Sequence, residues 1–163
     1  MAQSLSKLSR DDIVARLADL VEPDQIVTDE EQLKLASVDR FKKYQSVHGI
    51  FDGPLPAAIV NARSTEDIAK VLAFADENTV NVVARTGRTG TEGGLETAVE
   101  DTLVLDGSGL DEIIRIDAEN MQVTVGCGVP LQVLEDTLRA QGLTTGHSPQ
   151  SKPLAQYGGL VST

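Results

Sequence analysis

Four glycines at positions 87, 90, 93 and 94 fall inside one short stretch, Arg85-Thr-Gly-Arg-Thr-Gly-Thr-Glu-Gly-Gly94. Glycine lets a backbone turn back on itself and bring its amides close to a ligand. Successive N–H groups in such a turn make an anion-binding concavity, and Arg85 or Arg88 would add charge-assisted bonds to phosphate oxygens. The spacing is not G-x-G-x-x-G, and no Lys-Ser/Thr pair follows, so neither of the common nucleotide fingerprints applies. The next residues, LETAVEDTLVLDG, lead into a strand and not a helix. Phosphate bound here would therefore rest on loop amides. A tight surface connection between two strands is the competing reading of the same residues.

A second stretch, Gly146-His-Ser-Pro-Gln-Ser-Lys-Pro-Leu-Ala-Gln-Tyr-Gly-Gly159, reads as a long irregular loop carrying hydroxyls, amides and a Gly pair. Loops of that length are more often functional than idle. His147 is read as a structural histidine held by hydrogen bonds. Cys127 follows a strand between two glycines and is read as a small buried residue, not a catalytic thiol. As the chain's single cysteine it forms no intrachain disulfide and builds no cysteine-based metal cluster, and no metal site is expected. The carboxylate pairs Asp11-Asp12 and Glu30-Glu31 sit at helix starts, where the helix dipole accounts for them.

The elements that position these loops follow from hydrophobic spacing. Ser9 caps a predicted helix through DDIVARLADLV, with Ile13, Leu17, Leu20 and Val21 on one face and an end at Glu22-Pro23. Thr28 or Asp29 starts a second helix over 30–37. The stretch DRFKKYQSVHGIFDGPLP has no clean period and reads as a connection to a main body beginning at Pro54. There, AAIV is a short buried strand, and Ser64 with Asp67 three residues later opens a helix with Ile68, Val71, Leu72 and Ala75 as its apolar face. The β-branched run from Val80 to Arg85 predicts a buried strand that delivers the glycine loop to an exposed face. TLVLDG, DEIIRID and MQVTVGCG are three more strands, the last two joined by a hairpin turn at Asp117–Asn120. Pro130 is placed at the first position of a helix with Leu131, Leu134 and Leu138 inward, and Gly142 closes it. The expected class is α+β, a parallel β-α-β unit feeding antiparallel strands.

The 163 residues suit one domain, and 40% apolar with 24% charged residues is a globular composition. A net charge of −11 gives no footprint for a nucleic-acid backbone and disfavours an anionic membrane surface. No apolar run reaches the ~18 residues of a membrane span, and MAQSLSKLSRDD lacks the apolar core of a secretory signal. A cytoplasmic protein is expected.

Taken as an ordered set, PAAIVNARSTEDIAKVLAFADENTVNVVARTGRTGTEGG, TLVLDGSGLDEIIRID, MQVTVGCGV, LRAQGLTTGHSPQS and YGGLVST resemble the front part of a known family's cofactor domain. That family is the FAD-linked oxidases of the vanillyl-alcohol oxidase and p-cresol methylhydroxylase type. The resemblance runs from Pro54 to Thr163. It implies that Thr86, Gly87, Arg88, Thr89, Gly90 and Thr91 wrap the FAD pyrophosphate. It also implies that Pro149, Gln150, Ser151, Gly158, Gly159 and Thr163 line the flavin site. Relatives that attach the flavin covalently through this loop carry His where this chain has Thr89, so non-covalent FAD is implied. Thr86 and Arg88 stand where glycine is common, which costs free energy if either position needs a positive φ.

Residues 1–53 are thus read as a helical N-terminal segment and 54–163 as the first part of a FAD-binding domain that breaks off inside its Gly-Gly-x-x-x-Thr motif. The implied activity of the parent is oxidation of a hydroxy acid or alcohol, as in lactate or glycolate oxidases, on a small-molecule substrate. The rivals are an ether-forming synthase of the alkyldihydroxyacetonephosphate type and a folded fragment without a ligand. The isolated chain is expected to lack turnover, to hold FAD weakly or not at all, and to pair as a homodimer through an apolar face. Substrate, electron acceptor and any catalytic acid or base stay open.

Overall fold

The computed structural model describes residues 5–40, 42, 48 and 53–162. The chain divides into two compact units, Met1–Ala84 with Gly90–Asp106, and Arg85–Thr89 with Gly107–Thr163.

The first unit is built on a four-stranded sheet. Helix α1 (Arg10–Leu17) starts where Ser9 Oγ accepts the Asp12 N–H, and buries Ile13 and Leu17 completely. It stops earlier than the expected Glu22-Pro23 boundary. Pro23–Gln25 instead forms a 3-10 turn, tied down by Gln25 Nε2 donating to Asn61 O and to Asp67 Oδ2, each at 2.9 Å. That turn aims β1 (Ile26–Val27) antiparallel along β2 (Ala58–Asn61), a strand the hydrophobic spacing did not reveal. Of the two expected starting residues, Thr28 and Asp29, it is Asp29 that caps α2 (Glu30–Ala36). Ser64 caps α3 (Thr65–Asn78), whose buried face is Val71, Phe74, Ala75 and Asn78. Leu72, expected on that face, is 45% exposed.

Strand β2 runs parallel to β4 (Leu103–Asp106), which lies between it and β3 (Val82–Arg85). Leu103 N–H donates to Asn81 O and Gly107 N–H to Arg85 O, so β3 and β4 also run parallel. The edge place explains why β3 is only half-buried, with Ala84 exposed, against the buried strand expected from its β-branched residues. Strand β4 is buried throughout. Val60, Leu103 and Leu105 pack with Ile13, Leu17 and Val71, while Ile59 and Val104 pack with Leu33 and Ala36. Alternate residues thus serve two apolar layers, as expected for strands covered on both faces.

The second unit contains a separate antiparallel hairpin of β5 (Ile113–Asp117) and β6 (Gln122–Val125). Its turn is the expected one: Asp117 accepts from the backbone and side-chain nitrogens of Asn120 at 3.1 and 3.0 Å. Helix α4 (Leu131–Arg139) follows, with Pro130 as its N-cap, one place before the expected first turn. Leu134 and Leu138 form a core with Val129, flanked by Ile113, Ile116 and Val123 of the hairpin. Gly142, at φ +73°, turns the chain so that Leu143 N–H closes onto Leu138 O.

The stretch 146–159 is less irregular than expected. Leu131 N–H donates to Ala155 O and Tyr157 N–H to Val129 O, pinning the stretch to the entry of α4, and a helix α5 (Tyr157–Ser162) begins within it. Backbone pairing with a segment some twenty-five residues upstream, invisible to local spacing, supplies that order.

Candidate functional site

Strand β3 ends at Arg85 and releases the chain into Thr86–Thr89. Among the described residues, none of the backbone N–H groups from Thr86 to Thr91 donates a hydrogen bond. Thr86, Gly87 and Thr89 are half-buried, and Arg88 is exposed. Arg88 takes φ +54°, the left-handed conformation that glycine adopts freely, whereas Thr86 does not. Only one of the two feared strains is therefore real. No described residue hydrogen-bonds or ion-pairs with the Arg88 guanidinium.

Gly87 sits directly against the second stretch. A Cβ there would lie 2.5 Å from Leu154 O and 2.8 Å from Gln156 N, both backbone atoms. A Cβ on Gly158 would lie 2.9 Å from Cys127 Cβ and 3.1 Å from Thr86 Cγ2. The two stretches expected to share one ligand therefore meet at Thr86 and Gly87 on one side and at 154–158 on the other. Cys127 lies at this junction, half-buried instead of fully buried as expected, with its Sγ 3.3 Å from Gly107 O and its carbonyl accepting the Gly158 N–H. That bond uses the Gly158 amide, so Gly158 contributes close packing and not an open donor.

Between these contacts, Pro149 and Ser151 are half-buried and Gln150 is exposed. A turn there is closed by Lys152 N–H on Pro149 O and by Leu154 and Ala155 N–H on Ser151 O. Gly159 lies exposed in α5. Gly90 and Thr91 belong to the first unit, where Gly90 O accepts the Arg40 N–H at 3.4 Å. In the same unit Asp39 accepts the Gly93 N–H at 3.0 Å, and Lys42 pairs with Glu96 at 2.8 Å. Thr163 lies outside the described residues. His147 is exposed, and its backbone N–H donates to Thr145 Oγ1 at 3.3 Å.

The sequence reading missed Glu135. Its side chain is 2% exposed on the inward face of α4, between Leu134 and Leu138. It accepts the Thr145 N–H at 2.7 Å and the Thr145 and Thr144 hydroxyls at 2.5 and 3.1 Å. Arg139 Nε and Lys152 Nζ lie 3.2 and 3.5 Å from Oε2. The Thr145 hydroxyl and amide, with Thr144 and Arg139, outweigh desolvation and hold the Glu135 carboxyl down to about 2. Burial pushes the Tyr157 phenol up, against a hydrogen bond with Thr145 and with the Glu135 charge adding to the rise. The one signal in the sequence was an acid set among the leucines of an apolar stripe.

The arrangement matches the chemistry of a dinucleotide cofactor. Open amides and an unpaired guanidinium suit pyrophosphate oxygens. Gln156 Oε1 is buried with no hydrogen-bond partner, an acceptor suited to a ring N–H donor. The FAD binding domain family matches residues 56–163. The chain belongs to that family. It is similar to the uncharacterized FAD-linked oxidoreductase YgcU of Escherichia coli strain K12, with 57% identity over 156 residues, 96% of this chain and 32% of that protein. The mitochondrial D-lactate dehydrogenase [cytochrome] 1 of Saccharomyces cerevisiae is 29% identical over 98% of this chain and 29% of its own length. Among solved structures, an alkyldihydroxyacetonephosphate synthase superposes on all of this chain and 33% of its own, with a TM-score of 0.83 and 20% identity. The chain thus spans about a third of the length of the relatives it matches. Family and α+β fold are those expected from the motifs. No helix among the described residues is long and apolar enough to cross a membrane.

Proposed function

We propose that this chain is the FAD-binding part of a flavin-dependent oxidoreductase that acts on a hydroxy acid or alcohol. One observation carries the reading: the undonated amides of Thr86–Thr89, beside the Arg88 guanidinium, pack at Gly87 against 154–156. In this reading Thr86, Gly87, Arg88 and Thr89, with Gly90 and Thr91, receive the pyrophosphate. Pro149, Gln150, Ser151, Gly158, Gly159 and Thr163 shape the flavin side. Thr89 offers a hydroxyl in place of an imidazole, so binding is non-covalent. Bound FAD supplies a two-electron acceptor. This chain's residues bind and orient it, and the substrate-binding groups belong to the remaining length that the relatives carry. By the same reading the chain alone binds FAD weakly and has no turnover.

The similarity to a D-lactate dehydrogenase supports a small hydroxy acid as substrate. A cytoplasmic location belongs to the same proposal. The test is anaerobic addition of 2-hydroxy acids and simple alcohols to the FAD-loaded protein at the full length of its relatives. Bleaching of the flavin absorbance supports the oxidoreductase reading. Exchange of an acyl group for an alcohol without net bleaching supports the synthase rival. A homodimer through an apolar face belongs to the same proposal. The second unit offers a groove of about 510 Å³ lined by Ile116, Met121, Leu143 and Val161, and sedimentation of the purified chain tests the dimer.

A further inference from the structure

We propose that Glu135 is a positioning residue for the flavin site: through one buried carboxylate it fixes both ends of the segment that carries Pro149, Gln150 and Ser151. The inference rests on the FAD reading above and extends it to a residue outside the two glycine-bearing stretches. Among the described residues, Glu135 makes no hydrogen bond or ion pair with those assigned to the cofactor. Its partners instead bracket them. Thr144 and Thr145 stand before the turn, and Lys152 directly after Ser151. One side chain on α4 thus holds the entry to the turn and its exit.

The chemistry explains why a carboxylate is used. Thr144, Thr145 and Lys152 present only donors to this point, and a buried acceptor with two oxygens satisfies them together. A leucine in its place would leave the Thr145 N–H and the Lys152 ammonium without a partner inside a mostly apolar layer, at a free-energy cost. Glutamine keeps one oxygen acceptor but adds two donors facing Lys152 and Arg139. The segment would then lose its tether at Lys152 while α4 keeps its leucines.

The experiment compares wild type with Glu135→Gln, Glu135→Asp and Thr144→Val in two readouts. FAD affinity comes from amide chemical-shift titration, and order of the segment from hydrogen exchange at Gly146–Lys152 in the absence of FAD. Glu135→Gln is expected to raise the Kd for FAD about tenfold, within the range for coupled neighbours. Exchange at 146–152 should rise while the amides of β5 and β6 keep their protection. Thr144→Val, which leaves the carboxylate and Lys152 intact, should shift both readouts in the same direction by about threefold. It keeps the test open if Glu135→Gln fails to fold. Glu135→Asp, one methylene shorter, should restore part of the affinity lost in Glu135→Gln. Unchanged exchange at 146–152, or a tenfold loss of affinity accompanied by equal deprotection of the whole unit, overturns the inference. Gly87→Ala is run beside these variants. If it leaves FAD affinity intact, the FAD reading fails; if it weakens FAD while Glu135→Gln and Thr144→Val do not, only the positioning role fails.

Discussion

Replacing Gly87 by alanine adds one methyl group at the contact where the two candidate stretches meet. That Cβ would fall 2.5 Å from Leu154 O, while ordinary contact begins near 3.4 Å, so one backbone must move by about 1 Å. Neither near neighbour is a flexible side-chain tip, and Leu154 and Ala155 are each already held by hydrogen bonds to Ser151 O at 2.8 Å. Overpacking of this kind costs about 1–3 kcal/mol. Alanine also stiffens the unfolded chain, which returns about 0.4–1 kcal/mol. The net expectation is a destabilisation of about 1–2 kcal/mol, read as a melting temperature lower by about 2–8 °C. A shift of about 1 Å between amide donors and a phosphate is enough to break hydrogen bonds, so the Kd for FAD should rise about 10- to 100-fold. Gly94→Ala is the control: no atom lies within 4 Å of its Cβ position and its φ is not positive, so stability and affinity should hold or improve slightly. Thermal unfolding and FAD titration of both variants settle the matter. A Gly87→Ala protein with wild-type melting and wild-type affinity would refute the close packing and the site built on it.

Arg88→Gly should relieve the left-handed strain at φ +54° and stabilise the protein by up to about 1 kcal/mol, while weakening FAD and flattening the salt dependence of its binding; calorimetry and titrations at two salt concentrations check both signs. Glu135 is held at about 2 in the folded protein against an ordinary 4.5, so its contribution is complete above about pH 4.5 and is lost as the pH falls towards 2. Circular dichroism during acid titration should show Glu135→Gln less stable than wild type at neutral pH and less sensitive to acid across that window; identical acid profiles would contradict the buried carboxylate network.

How much of this was legible depended on the distance between interacting residues. The caps at Ser9, Asp29 and Ser64 and the Asp117–Asn120 turn were readable because donor and acceptor lie three residues apart. Strand β1 was not, since two residues acquire strand geometry only by pairing with β2 more than thirty positions later. The half-burial of β3 follows from β4 inserting between it and β2, a choice of strand order that a β-branched run does not encode. Helix α5 contains a Gly pair, a poor helix former, and takes its place from backbone bonds between Val129–Leu131 and Ala155–Tyr157. At the site, the glycine loop and the Pro-Gln-Ser turn could be singled out by composition and resemblance. Glu135 could not, because its meaning lies in donors nine to seventeen residues downstream. Cys127 shows the converse: residue type alone suggested burial, and local packing left it half-buried.

The most direct test of the central claim is a residue-resolved map of FAD binding on the uniformly nitrogen-15-labelled chain. The account predicts that rising FAD shifts the amides of Thr86, Gly87, Arg88 and Thr89 together with those of Gln150, Ser151 and Gly159, and leaves β5 and β6 unmoved. Shifts centred on the Ile116–Met121–Val161 groove, or none at millimolar FAD, would contradict it.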